Sequence, residues 1–294
     1  MRIIMGMTWK ELLRKRVMIL TLLMTIVFLI GFWFVANTIG QSGIPNRTDI
    51  SSGEHLLANF TNGAFILSLG FFFGAFVIAF LAIFSSFSAI AGEAEQGVMQ
   101  ALLPRPLPRW KWYIGRWLGY VTLGIGYALI LFISILWITE IHATVPRDAV
   151  VLLKSFLLFS SIVPLLITIS MLGSGFFSAV GNGVFMTMLY GAGWLGGMID
   201  KIGGSLRLEP DVLDTLNNLS GMMALLMPVD GLQRKMTAVL FSANEMSGMM
   251  GLFGSMNGLL DFNTVPSNMF IIYAIGYTLL AFVIGLLRFE RKDL

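Results

Sequence analysis

The chain of 294 residues is 56% hydrophobic and 12% charged, with a mean hydropathy of +0.83. A soluble domain carries about twice that charged fraction, so the composition indicates an integral membrane protein and excludes a soluble enzyme. The net charge of +3 is expected to report topology and not nucleic-acid binding, and the absence of cysteine excludes disulfides, thiolate metal sites and cysteine nucleophiles.

Residues 1–16 form a short basic segment that we expect to be an interfacial helix. Trp9 suits the level of the lipid headgroups, and the cations suit anionic lipid. A signal peptide is the alternative, but the apolar run that follows is too long and no small-residue cleavage site ends it. Five cations and one acid precede that run, so the positive-inside rule predicts a cytoplasmic N-terminus.

Apolar runs predict six transmembrane helices, and hence an all-α integral membrane protein. The predicted spans are residues 17–38, 64–87, 118–139, 149–172, 184–199 and 269–287. An even number of spans returns the basic C-terminal tail to the cytoplasm, where the positive-inside rule favours it. The chain is therefore read as a single transmembrane domain with both termini on the cytoplasmic side.

Two glycine patterns lie inside predicted spans. Gly70 and Gly74 form a small-xxx-small face suited to close helix contact, although glycines that simply face lipid remain the alternative. Residues 191–196, GAGWLG, match the string GxGxxG of nucleotide-binding loops. No strand precedes them and they lie in an apolar run, so we assign them to helix packing.

The segment 200–268 is expected on the outer side, with two short amphipathic helices before the last span. The first, about 211–223, would place Val212, Leu216, Leu219 and Met223 on one face. The second would start after Pro228, with Asp230 as its N-cap and Leu232, Met236, Val239 and Leu240 on one stripe. Methionines recur in this segment, and thioethers can bind Cu(I), but adaptable packing is the favoured interpretation.

Several kinds of chemistry have no support in the sequence. There is no phosphate-binding loop, so the chain is not expected to hydrolyse ATP, and no protease or lipase motif is present. The predicted spans hold almost no ionisable residue near their centres, which argues against an ion-coupled carrier. If the protein carries out active transport, the energy must be supplied by another chain.

A polar island at 89–110 follows the second span, on the cytoplasmic side by alternation. It begins with two acids and Gly97, continues with an apolar run, and ends with prolines and cations. We expect residues 92–103 to form a short helix that the prolines end. An amphipathic helix held between two spans can transmit motion to them, because its movement must tilt both spans.

This pattern resembles the ABC type-2 permease family, the membrane subunits of ATP-binding cassette exporters. The family's loop reads approximately E-x-E-x-G-T, a leucine-rich run, P-x-x-R and G-[KR]. The matching residues are Glu93, Glu95, Gly97, Leu102, Leu103, Pro106, Arg109, Gly115 and Arg116. The basic residues 10–16 and the ending FERKDL also look like family features, whereas Val98 and Pro104 depart from the pattern.

The resemblance implies a permease subunit whose coupling helix docks on a separate cytoplasmic ATPase. The implied coupling residues are Glu93, Glu95, Gly97, Leu102, Leu103, Pro106 and Arg109. It implies no cofactor in this chain, with ATP and magnesium on the ATPase, and a homodimer or a heterodimer with a similar permease. The expected setting is a bacterial cell membrane, with lipid and no nucleic acid as partners.

Two other functions stay open beside the exporter. One is a membrane scaffold or antimicrobial-peptide immunity protein that moves no substrate. The other is an ion channel, for which the sequence offers neither a filter-like loop nor a ring of charges. The substrate of an exporter is not specified by any motif in the chain.

Overall fold

The computed structural model describes residues 2–42, 52–95, 108–143, 145–203, 210–241 and 266–291, and within these ranges it contains helices and no strand. The helices are α1 (Arg2–Arg14), α2 (Arg16–Ser42), α3 (Ser52–Ser86), α4 (Ala91–Glu95), α5 (Arg109–His142), α6 (Ala149–Ser174), α7 (Ala179–Gly203), α8 (Pro210–Leu226), α9 (Val229–Leu240) and α10 (Asn268–Arg291). Of these, α2, α3, α5, α6 and α10 are long and apolar enough to cross a membrane. The predicted all-α membrane class is confirmed, and the count of six spans stays a prediction.

The helices extend past the predicted spans. α3 begins at Ser52 instead of residue 64, and α5 begins at Arg109 instead of residue 118. The predicted bounds were set where each apolar run ends. A helix can continue beyond that point, because each further turn satisfies its own backbone hydrogen bonds. At the N-terminus, Lys15 separates α1 from α2, and its N–H donates to the carbonyls of Glu11 and Leu12, each at 3.1 Å.

The core lies where α3 packs against α2, α5 and α6. Gly70 and Gly74 allow this approach, because a Cβ at Gly70 would lie 2.7 Å from the Phe32 ring and one at Gly74 would lie 2.8 Å from Ile135. Both distances are far below van der Waals contact, so the glycines are packed against protein and not against lipid. The predicted small-residue contact face is therefore observed.

α7 and α8 form an antiparallel hairpin with a close interface. A Cβ at Gly193 would lie 2.7 Å from Met227 Cβ, and one at Gly196 would lie 2.7 Å from Met223 Cβ. Ser220 Oγ also donates to the Gly196 carbonyl at 2.8 Å. The glycines of GAGWLG thus serve helix packing, as the sequence indicated, and the methionines opposite them fill the interface.

α8 and α9 occupy the region of the two predicted outer helices, with two differences. On α8, Met223 of the predicted face does pack against α7, together with Ser220. Val212 and Leu219 of the same predicted face are exposed instead. The N-cap of α9 is Pro228, without a side-chain cap, so the prediction for Asp230 is wrong. Asp230 lies within the first turn of α9, two residues after the N-cap, and its carboxylate accepts from Arg234 Nε at 2.6 Å.

Candidate coupling region

One end of the helix bundle gathers the residues that follow α3. The N–H groups of Ile90 and Ala91 donate to Ser174 Oγ at 3.0 and 2.9 Å, which joins this segment to the last residue of α6. Asn182 of α7 is fully buried, and its Nδ2 donates to the carbonyls of Phe87 and Ser170 at 2.7 and 2.8 Å. The start of the polar island is therefore fastened to the junction between α6 and α7.

Arg116 joins this segment to the N-terminal helix. Its guanidinium forms ion pairs with Glu93 of α4 and with Glu11 of α1. The side chain of Arg116 is 8% exposed, that of Glu93 is 14% exposed and that of Glu11 is 38% exposed. The guanidinium also lies over the Trp112 ring at 5.3 Å, which favours a cation electrostatically. A buried cation thus bridges two carboxylates from separate elements.

Glu11 is stabilised as a carboxylate by its two cationic neighbours. Burial alone raises its pKa, but the nearby charge and hydrogen bond of Arg116, together with those of Lys15 at 2.8 Å, outweigh that effect. The net result is a pKa of the Glu11 carboxyl below its ordinary value of 4.5. The ion pairs therefore persist at neutral pH and weaken only in acid.

Two small residues let α1 lie directly on α5. A Cβ at Gly115 would lie 3.0 Å from Ile4 Cβ, and one at Gly119 would lie 2.7 Å from Thr8 Cβ. Trp9 Nε1 donates to the Gly119 carbonyl at 3.1 Å, so the indole closes the same contact. These contacts explain why glycine precedes the arginine in the G-[KR] pair of the sequence pattern.

Glu95 and Arg109 each meet the end of another helix. Glu95 Oε1 accepts from the N–H of Ala179, the first residue of α7, at 3.0 Å. A carboxylate at a helix N-terminus is favourable because the first N–H groups have no partner within the helix. Arg109 Nη1 donates to the Glu290 carbonyl at 3.1 Å, in the last turn of α10, where a cation is favoured. Nearby, the Trp112 and Phe289 rings stack at 5.1 Å.

The predicted coupling residues fall into two groups. Glu93, Glu95 and Arg109 lie at one end of the bundle, but each binds a different helix of the protein, so they do not form one binding patch. The remaining predicted positions, Gly97, Leu102, Leu103 and Pro106, lie outside the described residues, as does most of the predicted helix 92–103. Residues 91–95 are helical.

Sequence reasoning missed Glu11, Asn182 and Ser174 as parts of this region. Glu11 offered a signal, because it is the only acid in a basic segment. Asn182 offered a weaker one, as an amide among small and apolar residues. Nothing in the sequence marks Ser174, whose role depends on where α6 ends.

A family model described as ABC-2 family transporter protein matches residues 3–294. No curated protein matches the chain. Within the described ranges, no group of three or more His, Asp or Glu side chains is placed to hold a metal ion.

Proposed function

Because the chain belongs to the family of ABC-2 transporter proteins, we propose that it is the permease subunit of an ATP-binding cassette exporter. ATP and magnesium would bind a separate cytoplasmic ATPase. Two permeases, either identical or similar, would enclose the pathway between them. The proposed setting is a bacterial plasma membrane, with both termini in the cytoplasm.

We take α7 as a sixth crossing. α6 ends and α7 begins beside the coupling region, at Ser174 and Asn182, and α10 returns to that region at Glu290. The chain must therefore reach the opposite end of the bundle before α10 begins. α7 has 25 residues, or about 37 Å of helix, which exceeds the roughly 30 Å apolar thickness of a bilayer. Its glycines and Asn182 lower its hydropathy relative to the other spans.

The observation that carries the coupling proposal is the set of polar contacts at the two ends of the island. Glu93 is tied through Arg116 to α5 and α1, Glu95 is tied to α7, and Arg109 is tied to α10. Contact with the ATPase would then fall to residues 96–107, including Gly97, Leu102, Leu103 and Pro106. A push on these residues would reach α5, α7 and α10 through separate contacts and shift them relative to one another, so Glu93, Glu95 and Arg109 act as positioning residues.

The test uses the ATPase that co-purifies with the chain. Spin labels on cysteines at Ile133 of α5 and Met188 of α7 are clean probes, because the chain has no cysteine and both side chains are exposed. Nucleotide trapping should change the distance between the labels in the wild type. In Glu95→Gln the ATPase should still bind and hydrolyse ATP, but the distance change should be lost, because the link to α7 is weakened.

Glu140→Gln is the matched control, since this acid is exposed and pairs with Arg147 at 3.3 Å, away from the island. It should respond as the wild type does. A normal distance change in Glu95→Gln would contradict the coupling role. Failure to bring down any ATPase whose hydrolysis responds to the permease would instead favour a scaffold or immunity protein.

A further inference from the structure

A cleft of about 320 Å³ lies beside the last turns of α10, at the same end of the bundle as the coupling region. The described residues that line it are Ile284, Leu287, Arg288 and Arg291. Its volume is at the lower end of the range for ligand sites, about 300–1,000 Å³. The cleft therefore offers both aliphatic and cationic groups to one small occupant.

The two arginines of the cleft are not neutralised within the described part of the chain. The Arg288 guanidinium lies 4.2 Å from the centre of the Phe176 ring, a contact that stabilises the charge but supplies no hydrogen-bond acceptor. Neither Arg288 nor Arg291 forms a hydrogen bond or an ion pair with another described residue. Glu290 does not line the cleft, because it lies about 100° around the helix from Arg291.

The cleft lies where α10 changes from apolar to charged residues. Leu280, Ile284 and Leu287 are exposed, and their spacing of four and three residues places them on one face of the helix. They belong to a helix that is long and apolar enough to cross a membrane, and the arginines occupy its last turn. This position in a membrane-crossing helix is the level at which acyl chains give way to lipid head groups.

We propose that the cleft binds the anionic head group of a membrane phospholipid, with its phosphate on Arg288 and Arg291 and its acyl chains along the exposed face of α10. A guanidinium suits this ligand, because its N–H donors form a rigid fork that matches the oxygens of a phosphate. The aliphatic residues favour a lipid over free phosphate, since only the lipid has apolar surface to remove from water there.

The bound head group would be shared by two parts of the bundle. Arg288 lies over Phe176, and a Cβ at Gly175 would lie 4.0 Å from Arg288 Cγ, so the arginine packs on the junction between α6 and α7. Ser174 and Asn182 hold the start of the polar island at the same junction. An anionic lipid would therefore link α10 to the part of the molecule that holds the island.

The test uses the full-length protein in detergent, without an ATPase. Equal amounts of phosphatidylglycerol and phosphatidylcholine are added, and the bound lipids are counted by native mass spectrometry. Wild type should bind phosphatidylglycerol preferentially. Arg291→Gln should lower this preference about fivefold, and Arg288→Gln combined with Arg291→Gln should lower it about thirtyfold, because each arginine adds a similar attraction for an anionic head group. Lysine at both positions should keep most of the preference.

Arg147→Gln combined with Lys154→Gln is the matched control. It removes the same number of positive charges, and both side chains are exposed near the other end of α5. This variant should bind as the wild type does. Free glycerol phosphate, added at the concentration of the lipid, should not displace it. If the double arginine variant does not fold, Arg291→Gln alone decides, since Arg291 has no polar partner among the described residues.

Three results would overturn the site: no preference in wild type, an unchanged preference in the arginine variants, or an equal loss in the control. Displacement by glycerol phosphate would overturn a lipid as the occupant. Loss of ATPase co-purification in the double arginine variant, beside an unchanged lipid preference, would assign the cleft to the partner protein instead.

The proposal rests on the proposed function only for the leaflet, because the proposed topology puts this end of the bundle in the cytoplasm. Arg291→Cys should be labelled by a membrane-impermeant maleimide in inside-out vesicles and not in right-side-out ones. The reverse result would overturn the inner leaflet and the proposed topology, while the lipid counts in detergent would be unaffected. Failure of the lipid counts alone would overturn the site and leave the proposed function standing.

Discussion

Replacing Arg116 with glutamine should destabilise the protein more than the loss of a surface ion pair does. Arg116 is 8% exposed and Glu93 is 14% exposed, so the substitution leaves a largely buried carboxylate without its cation. Removing one partner of a buried pair costs about 3–5 kcal/mol. Glu11 is 38% exposed and keeps its ion pair with Lys15 at 2.8 Å. Losing the Arg116–Glu11 pair therefore adds little to the loss in the free energy of unfolding, about 0–1 kcal/mol after solvent screening. We therefore expect a loss of about 3–5 kcal/mol in the free energy of unfolding.

A double-mutant cycle isolates the pair. The free energy of unfolding is measured in mixed micelles for wild type, Arg116→Gln, Glu93→Gln and the double variant, and the cycle is repeated with Glu11→Gln in place of Glu93→Gln. The coupling energy should exceed about 2 kcal/mol for Arg116 with Glu93 and stay below about 1 kcal/mol for Arg116 with Glu11. The double variant with Glu93→Gln should be more stable than Arg116→Gln alone, because no buried charge remains unpaired.

An exposed pair supplies the control. Arg147 and Glu140 are 86% and 55% exposed at 3.3 Å, so their cycle should give no measurable coupling. Additive effects of Arg116→Gln and Glu93→Gln would refute the reasoning, since they would mean that solvent reaches both groups and that the bridge holds no elements together. A larger coupling with Glu11 than with Glu93 would show that burial does not set the strength of these pairs.

Other outcomes follow from single contacts. Gly196→Ala should lower thermal stability because its Cβ would lie 2.7 Å from Met223 Cβ, whereas Gly191→Ala, with nothing within 4 Å, should keep or raise it by the helix propensity of alanine. Because the pKa of Glu11 is lowered, the stability it lends to α1 is present above its ordinary value of 4.5 and is lost as pH falls through its folded value. Hydrogen exchange of residues 2–14 should speed up in that acid range, beyond the intrinsic rate change, and this extra change should vanish in Glu11→Gln. Asn182→Ala should lower stability by about 1–3 kcal/mol, measured by the same unfolding assay, because the buried Ser170 carbonyl and the partly buried Phe87 carbonyl lose their donor.

The helices of this protein could be predicted because membrane burial leaves few choices. A long apolar run must satisfy its own backbone in lipid, so a helix is the outcome whatever its neighbours are. The packing role of Gly193 and Gly196 was also readable, because small residues in an apolar helix mark close contacts. The N-terminal ends of α3 and α5 could not be predicted in this way, because the helices begin in polar residues before the apolar run starts.

The polar island was marked by sequence alone as the unusual part of the chain, because acids, prolines and cations stand out between apolar runs. The order of these residues also carried the family resemblance, which the match over residues 3–294 bears out. Only the tertiary structure decided what the acids touch. Glu93 and Glu95 contact groups that lie far away in the chain, at Arg116 and Ala179, because three helix ends and α1 converge at one end of the bundle. Which charges meet is determined by how the helix ends pack together, and the order of charges along the sequence does not show that packing.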